Sequence, residues 1–159
     1  MFAKEILEEC DGLVGMYPDP RSALLPLLHL IQREQAWISP EAQAWVAERL
    51  ELAPIMVRGV VSFYTMFNEN PVGRHHIQLC KTLSCNLRGT PEILDHIRKR
   101  LDIGPGETSA DGRFTLTEVE CLGACGTAPA MMIGEDYSEE LSVEKLDEIL
   151  DLLVSAEEA

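Results

Sequence analysis

Ile77-Gln-Leu-Cys80-Lys-Thr-Leu-Ser-Cys85 and Phe114-Thr-Leu-Thr-Glu-Val-Glu-Cys121-Leu-Gly-Ala-Cys125 set the architecture of the chain. In each stretch a short run with strand character ends in a pair of cysteines. Ile77 and Leu79 alternate with polar neighbours, as a strand with one buried face requires. Phe114 to Glu120 reads as a second strand. Between them Thr90-Pro91 caps a helix whose Ile93, Leu94, Ile97 and Leu101 share one face. Arg98, Lys99 and Arg100 sit at the end where the helix dipole favours positive charge. Strand, helix and strand in this order pair in parallel with a right-handed crossover. Parallel strands bring their carboxyl ends to the same edge, so the two cysteine loops converge into one site of four thiols.

Four thiolates suit a [2Fe–2S] cluster, with two per iron, or a single zinc ion. The loops hold four and three residues between their cysteines, wider than the two-residue spacing frequent at zinc. Gly89, Gly123, Ala124 and Gly126 are small enough to let backbone N–H groups approach the sulfurs. The spacing favours iron–sulfur and leaves zinc open. A Rieske centre would replace two cysteines by histidines, and a dithiol oxidoreductase would carry Cys-x-x-Cys, which is absent. His75 and His76 begin the first strand, at its far end from the cysteines. They read as surface or partly packed residues, like His29 and His96 on predicted helices. Cys10, alone on a helix, reads as an ordinary buried or half-buried thiol.

Beyond the second cysteine pair, Ala130 to Ile133 makes a third strand and Asp136 to Ser138 a weak fourth. Ala128-Pro129, beside the cluster loop, is a candidate cis peptide. Asp111-Gly112 is a hairpin turn signal. Ser142 caps a last helix with Val143, Leu146, Leu150 and Leu153 on one face, giving the order β-α-β-β-β-α. The composition changes near Asn68 to Gly73, which places a boundary between a region 1–70 and a region 71–159. The first region reads as short helices. Lys4 to Cys10 is stopped by Gly12 and Gly15. Leu24, Leu27, Leu28 and Ile31 form one helix face with Pro26 either in the first turn or at a kink. Ser39-Pro40 starts a helix burying Ala42, Trp45, Val46 and Leu50. Ile55 to Met66 is read as helix, although its β-branched and aromatic residues suit a strand nearly as well.

The chain has 159 residues, 46% of them hydrophobic, enough for a buried core. Its net charge of −14 disfavours nucleic acid and anionic membrane surfaces as partners. Acids gather at Glu135 to Glu140 and Glu144 to Glu158, read chiefly as a solvated surface. Apolar runs are too short to span a membrane, and Met1 to Cys10 is too charged for a secretory signal, so a soluble cytoplasmic protein is expected. Gly104-Pro-Gly106 with Gly112 fails the dinucleotide fingerprint because position 109 is serine. Glu118 and Glu120 read as strand-surface carboxylates and Met131-Met132 as core. No nucleophile–base pair stands out.

With the cysteines, Trp37-Ile-Ser-Pro-Glu-Ala42, Gly59-Val-Val-Ser-Phe-Tyr-Thr-Met-Phe67, Pro71-Val-Gly-Arg74, Gly106-Glu-Thr108, Asp111-Gly-Arg-Phe-Thr-Leu116 and Val119-Glu-Cys-Leu-Gly-Ala-Cys125 resemble the 24 kDa subunit family of respiratory complex I, known in bacteria as the E subunits of NADH–quinone oxidoreductases. The resemblance covers nearly the whole chain. It implies an α+β fold: an N-terminal helical bundle followed by a thioredoxin-like β-α-β-β-β-α [2Fe–2S] ferredoxin domain. It implies one [2Fe–2S] cluster on Cys80, Cys85, Cys121 and Cys125, with Cys80 and Cys85 on one iron and Cys121 and Cys125 on the other. The implied partner is a flavoprotein subunit holding FMN and binding NADH, so this chain needs no nicotinamide site. The implied place is the cytoplasmic peripheral arm of a membrane-bound complex, without direct membrane insertion and in a bacterial form. Docking falls to the N-terminal helices with Phe63, Tyr64 and Phe67, unless those aromatics are simply core. The motifs do not separate a respiratory complex from the NAD-dependent hydrogenases and formate dehydrogenases that use related diaphorase subunits. A zinc-stabilised adaptor and a thiol oxidoreductase on the same fold are readings of another class.

Overall fold

The computed structural model describes residues 2–155. Glu157 and Glu158, the end of the C-terminal acidic run, lie outside the described residues. The chain divides into two compact units, Met1–Pro71 and Val72–Ala159.

The first unit is helical: α1 (Lys4–Gly15), α2 (Leu24–Gln35), α3 (Pro40–Arg49) and α4 (Pro54–Phe63), with a 3-10 turn at Pro20–Ala23. Gly12 does not stop α1, which runs on to Gly15. A mid-helix glycine costs only about 1 kcal/mol, and Ile6, Cys10, Leu13 and Val14 offset that by packing on the apolar cluster. Pro26 occupies the first turn of α2 and causes no kink, because its missing N–H is one that a helix start leaves unpaired anyway. Val57 and Val61 are the buried residues of α4, with Val60 partly buried beside them and Gly59 exposed, a pattern that suits a helix and not the alternation of a strand. The helix ends at Phe63, short of the expected Met66. In α3 the fully covered side chains are Ala42, Val46 and Ala47. Trp45 is only half-buried, with the Phe2 ring 4.9 Å away edge-on. Phe67 is core, 5.0 Å from the His29 ring, whereas Phe63 is 76% exposed.

The start of α3 follows the sequence signal closely. Ser39 Oγ accepts the Ala42 N–H at 3.1 Å and Pro40 takes the first helical position. Ser39→Ala is expected to cost about 1 kcal/mol, read as a lower urea midpoint at unchanged slope.

The second unit holds a four-stranded sheet of order β2-β1-β3-β4. Strand β1 (His75–Cys80) runs parallel to β2 (Phe114–Val119), with Ile77 opposite Leu116 and Cys80 opposite Val119. Strand β3 (Met131–Ile133) is antiparallel to β1, and β4 (Asp136–Ser138) is antiparallel to β3. The β1-to-β2 connection contains two helices where one was expected: α5 (Leu83–Leu87) and α6 (Thr90–Leu101). Thr90 does not cap α6. Gly89, with φ 114°, takes the capping position, and the buried Thr90 hydroxyl donates to the Cys80 carbonyl at 3.0 Å. A carbonyl taken out of water needs such a donor. Helix α7 (Val143–Ser155) starts where Ser142 Oγ accepts the Lys145 N–H at 3.2 Å. One sheet face buries Ile77, Leu79, Leu116 and Met131 in the cluster shared with Ile97 and Leu146. The Ala128–Pro129 peptide is cis, as expected. Among the described residues no helix is long and apolar enough to cross a membrane.

Helices α6 and α7 are also joined by charge. His96 Nε2 lies 2.8 Å from Asp147 Oδ1, and Arg100 pairs with Asp147 and Asp151. The hydrogen bond with His96, then Arg100, holds the Asp147 carboxyl below the usual carboxylate range. A carboxyl depressed in the folded chain stabilises it above the unfolded value, and that contribution is lost as pH falls through the folded value. Urea midpoints are therefore expected to drop on acidification below about pH 4, and Asp147→Asn is expected to flatten that limb of the curve.

Candidate metal centre

The parallel pairing sets the centre. Cys80 ends β1, and β2 ends at Val119, two residues before Cys121. Lys81 N–H donates to the Val119 carbonyl at 2.9 Å, which ties the two chain exits together. Past β1 the chain turns into α5, whose central Cys85 points back beside Cys80. Both thiols are 2% exposed, in a small cluster with Ala128 and Ala130. Past β2 the loop carries Cys121 and Cys125, both exposed, with Gly123 at φ 79°. Glycine permits that left-handed turn, and it aims the Gly123 N–H at Cys121 Sγ, 3.4 Å away.

The thiols differ in their surroundings. Burial works against ionisation of Cys80, yet its pKa lies below the ordinary thiol value. The Thr82 hydroxyl and the backbone N–H groups of Thr82 and Leu122 direct hydrogen bonds at the sulfur. Burial and the neighbouring Cys80 push the Cys85 thiol up, and Cys125 adds to that rise. Cys80 and Cys85 are thus neighbours in contact, and Cys125 is near enough for its charge to act on Cys85. Cys121 lies on the same loop as Cys125 with its sulfur turned to Gly123. Among the described residues, no three His, Cys, Asp or Glu side chains draw together as a site for a metal ion. The donor set is four soft sulfurs on two loops, one pair shielded and one open to solvent, with N–H groups aimed at the sulfurs. Such a set fits an iron–sulfur group, whose sulfurs are tuned by hydrogen bonds and exposure.

Residues that the sequence alone did not connect with the cysteines hold these loops. Tyr137 Oη donates to the Leu122 carbonyl at 3.0 Å, fastening the second cysteine loop to β4. Thr82 Oγ1 lies 3.2 Å from Cys80 Sγ. Thr90 reaches Cys80 from α6 as described above. Hydroxyls beside a cysteine loop are the signal, but a spacing rule does not give their direction. The remaining candidates are structural. Glu120 pairs with Lys81 at 3.2 Å. His76 Nε2 meets Thr117 Oγ1 at 2.8 Å, and burial holds its pKa below the usual value. His75 lies 5.2 Å from the Phe114 ring. Both histidines stand at the amino end of β1, away from the cysteines. Cys10 is fully buried in the helical unit, and burial raises its pKa.

Comparison with known proteins adds to this picture. The family of thioredoxin-like [2Fe–2S] ferredoxins matches residues 10–154. The second NADH-quinone oxidoreductase E subunit of Rhizobium meliloti (strain 1021) is 41% identical over 150 residues, covering 94% of this chain and 89% of that protein. The NADH-quinone oxidoreductase E subunit of Rickettsia bellii (strain RML369-C) is 43% identical over 155 residues, covering 96% of this chain and 93% of that protein. Among solved structures, an NAD+-reducing [NiFe]-hydrogenase in its H2-reduced state superposes with a TM-score of 0.73 over 83% of this chain. At 23% identity that likeness concerns the fold alone, and this chain spans 22% of the hydrogenase chain.

Proposed function

The chain belongs to the thioredoxin-like [2Fe–2S] ferredoxin family, and on that basis we propose that it is the electron-transfer subunit of a bacterial NADH–quinone oxidoreductase. It holds one [2Fe–2S] cluster on Cys80, Cys85, Cys121 and Cys125, the first two on one iron and the last two on the other. It exchanges single electrons with the FMN of a partner flavoprotein subunit, which also binds NADH. The observation that carries the reading is the pair of cysteine loops leaving the carboxyl ends of two adjacent parallel strands. Relatives above 40% identity over most of both chains, named as E subunits of NADH-quinone oxidoreductases, favour the respiratory complex over a hydrogenase or formate dehydrogenase.

When bound, the cluster supplies one-electron chemistry that complements a flavin able to take a hydride's two electrons. The chain's own residues give it a shielded side and an open side. Cys80 and Cys85, backed by Ala128 and Ala130, exclude water from one half. Cys121 and Cys125 leave the other half near the surface, where electrons can pass to a partner. The N-terminal helices act as a docking bundle. Phe63 is available for that role and Tyr64 partly so, while Phe67 belongs to the core. The chain sits in the cytoplasmic peripheral arm of the complex.

The test is EPR on anaerobically purified protein before and after dithionite, with iron and acid-labile sulfide assayed on the same sample. A silent oxidised form, a spin-half signal on reduction, and about two irons and two sulfides per chain are expected. A colourless protein with one zinc per chain and no sulfide would overturn the reading.

A further inference from the structure

Thr82 stands at the capping position of α5, with φ −73° and ψ 170°. At that position a threonine hydroxyl ordinarily accepts a backbone N–H of the first helical turn. Here it makes no such bond. Its Oγ1 lies instead 3.2 Å from Cys80 Sγ. We propose that Thr82 is a potential-setting residue, whose hydroxyl donates to the Cys80 thiolate and raises the reduction potential of the cluster. The inference rests on the cluster assignment above and adds a side chain that tunes it.

In the free thiol either atom of this contact can be the donor. A sulfur bound to a metal is a thiolate and only accepts, so the proton must then come from Thr82. Metal binding also changes another of the sulfur's contacts. The Cys80 thiol donates to the Glu120 carbonyl at 3.3 Å. Loss of the thiol proton leaves sulfur and oxygen facing each other as two electron-rich atoms. The Thr82 hydroxyl, as a donor to the same sulfur, offsets that repulsion. One-electron reduction makes and breaks no bond, but it adds negative charge that is shared with the ligand sulfurs. A donor aimed at a sulfur therefore stabilises the reduced state more than the oxidised one. The effect is strong at Cys80, which is 2% exposed, so water is not there to screen it. The contact on Cys121 comes from a backbone N–H, which no side-chain replacement removes. Thr82 is a side chain, so its contribution can be varied by substitution.

The experiment is a dithionite redox titration of the full chain followed by EPR, with iron and sulfide measured on every sample. Thr82→Val keeps the shape and removes the donor, and its midpoint is expected to move to lower potential. Thr82→Ser keeps the donor and is expected to return towards the parent value. A Thr82→Val protein with full iron and sulfide and the parent midpoint overturns the inference while leaving the cluster reading intact. If valine crowds the loop and loading fails, Thr82→Ala, smaller and also without a hydroxyl, is scored the same way. Failure of both to hold iron, with Thr82→Ser loading normally, would make the hydroxyl a folding contact and overturn the tuning role. A parent chain without iron or sulfide would instead overturn the cluster reading itself.

Discussion

Cys85→Ser is expected to abolish cluster binding, with iron and acid-labile sulfide falling from about two of each per chain to near zero and the EPR signal of the reduced protein disappearing. The reason lies in where Cys85 sits. It is 2% exposed, beside Cys80 and against Ala128 and Ala130. A serine hydroxyl gives up its proton to iron far less readily than a thiol, and at a position only 2% exposed solvent has little access to replace the lost thiolate. The exposed partner Cys125 offers a contrast. Cys125→Ser leaves the position open to solvent, where water or hydroxide can serve, so partial loading with an altered spectrum is expected. Equal and complete loading of both variants would show that the shielded and open halves do not differ in this way. Far-UV circular dichroism on the same samples separates loss of cluster from loss of fold.

Gly73→Ala is expected to destabilise the second unit by about 2 kcal/mol or more. Gly73 lies just ahead of β1, and its N–H donates to Thr115 Oγ1 at 2.6 Å. A Cβ added there would stand 2.9 Å from the backbone carbons of Arg113 and Phe114 and from the Arg113 oxygen. These are backbone atoms at the start of β2, and they cannot swing aside as the end of a flexible side chain would. Relief requires the two strands to part at their amino ends, where the His75 N–H bonds the Arg113 carbonyl at 2.8 Å. Both cysteine loops leave the other end of the same two strands, so the parallel register that brings them together is strained as well. A lower urea midpoint together with reduced iron retention is the expected result. An unchanged midpoint would mean that the turn around Asp111 yields more easily than its hydrogen bonds imply.

The legible features were those that depend on near neighbours in the chain. Ser39-Pro40 and Ser142 marked helix starts because a hydroxyl reaches only the N–H groups two or three residues on. The alternation at Ile77 and Leu79, and the helical spacing from Ile93 to Leu101, show which side chains face inward. The helical connection between β1 and β2 made those strands parallel neighbours. Misreadings came where a local preference met a stronger long-range one. Gly12 stayed helical because its neighbours pack on the apolar cluster. Thr90 gave up its capping role to pair with the Cys80 carbonyl, ten residues earlier.

Residue order alone thus accounts for most of the helices and strands, for the pairing of the cysteines along the chain, and for the sheet edge from which both cysteine loops leave. Each rests on interactions spanning a few residues or on the crossover that a helix between two strands imposes. Tertiary packing was needed to show that Cys80 and Cys85 are shielded while Cys121 and Cys125 stay open, and that Thr82, Thr90 and Tyr137 turn their hydroxyls to the cysteine loops. Burial and hydrogen-bond direction depend on which distant segments pack together, and the spacing of residues along one chain carries no record of that.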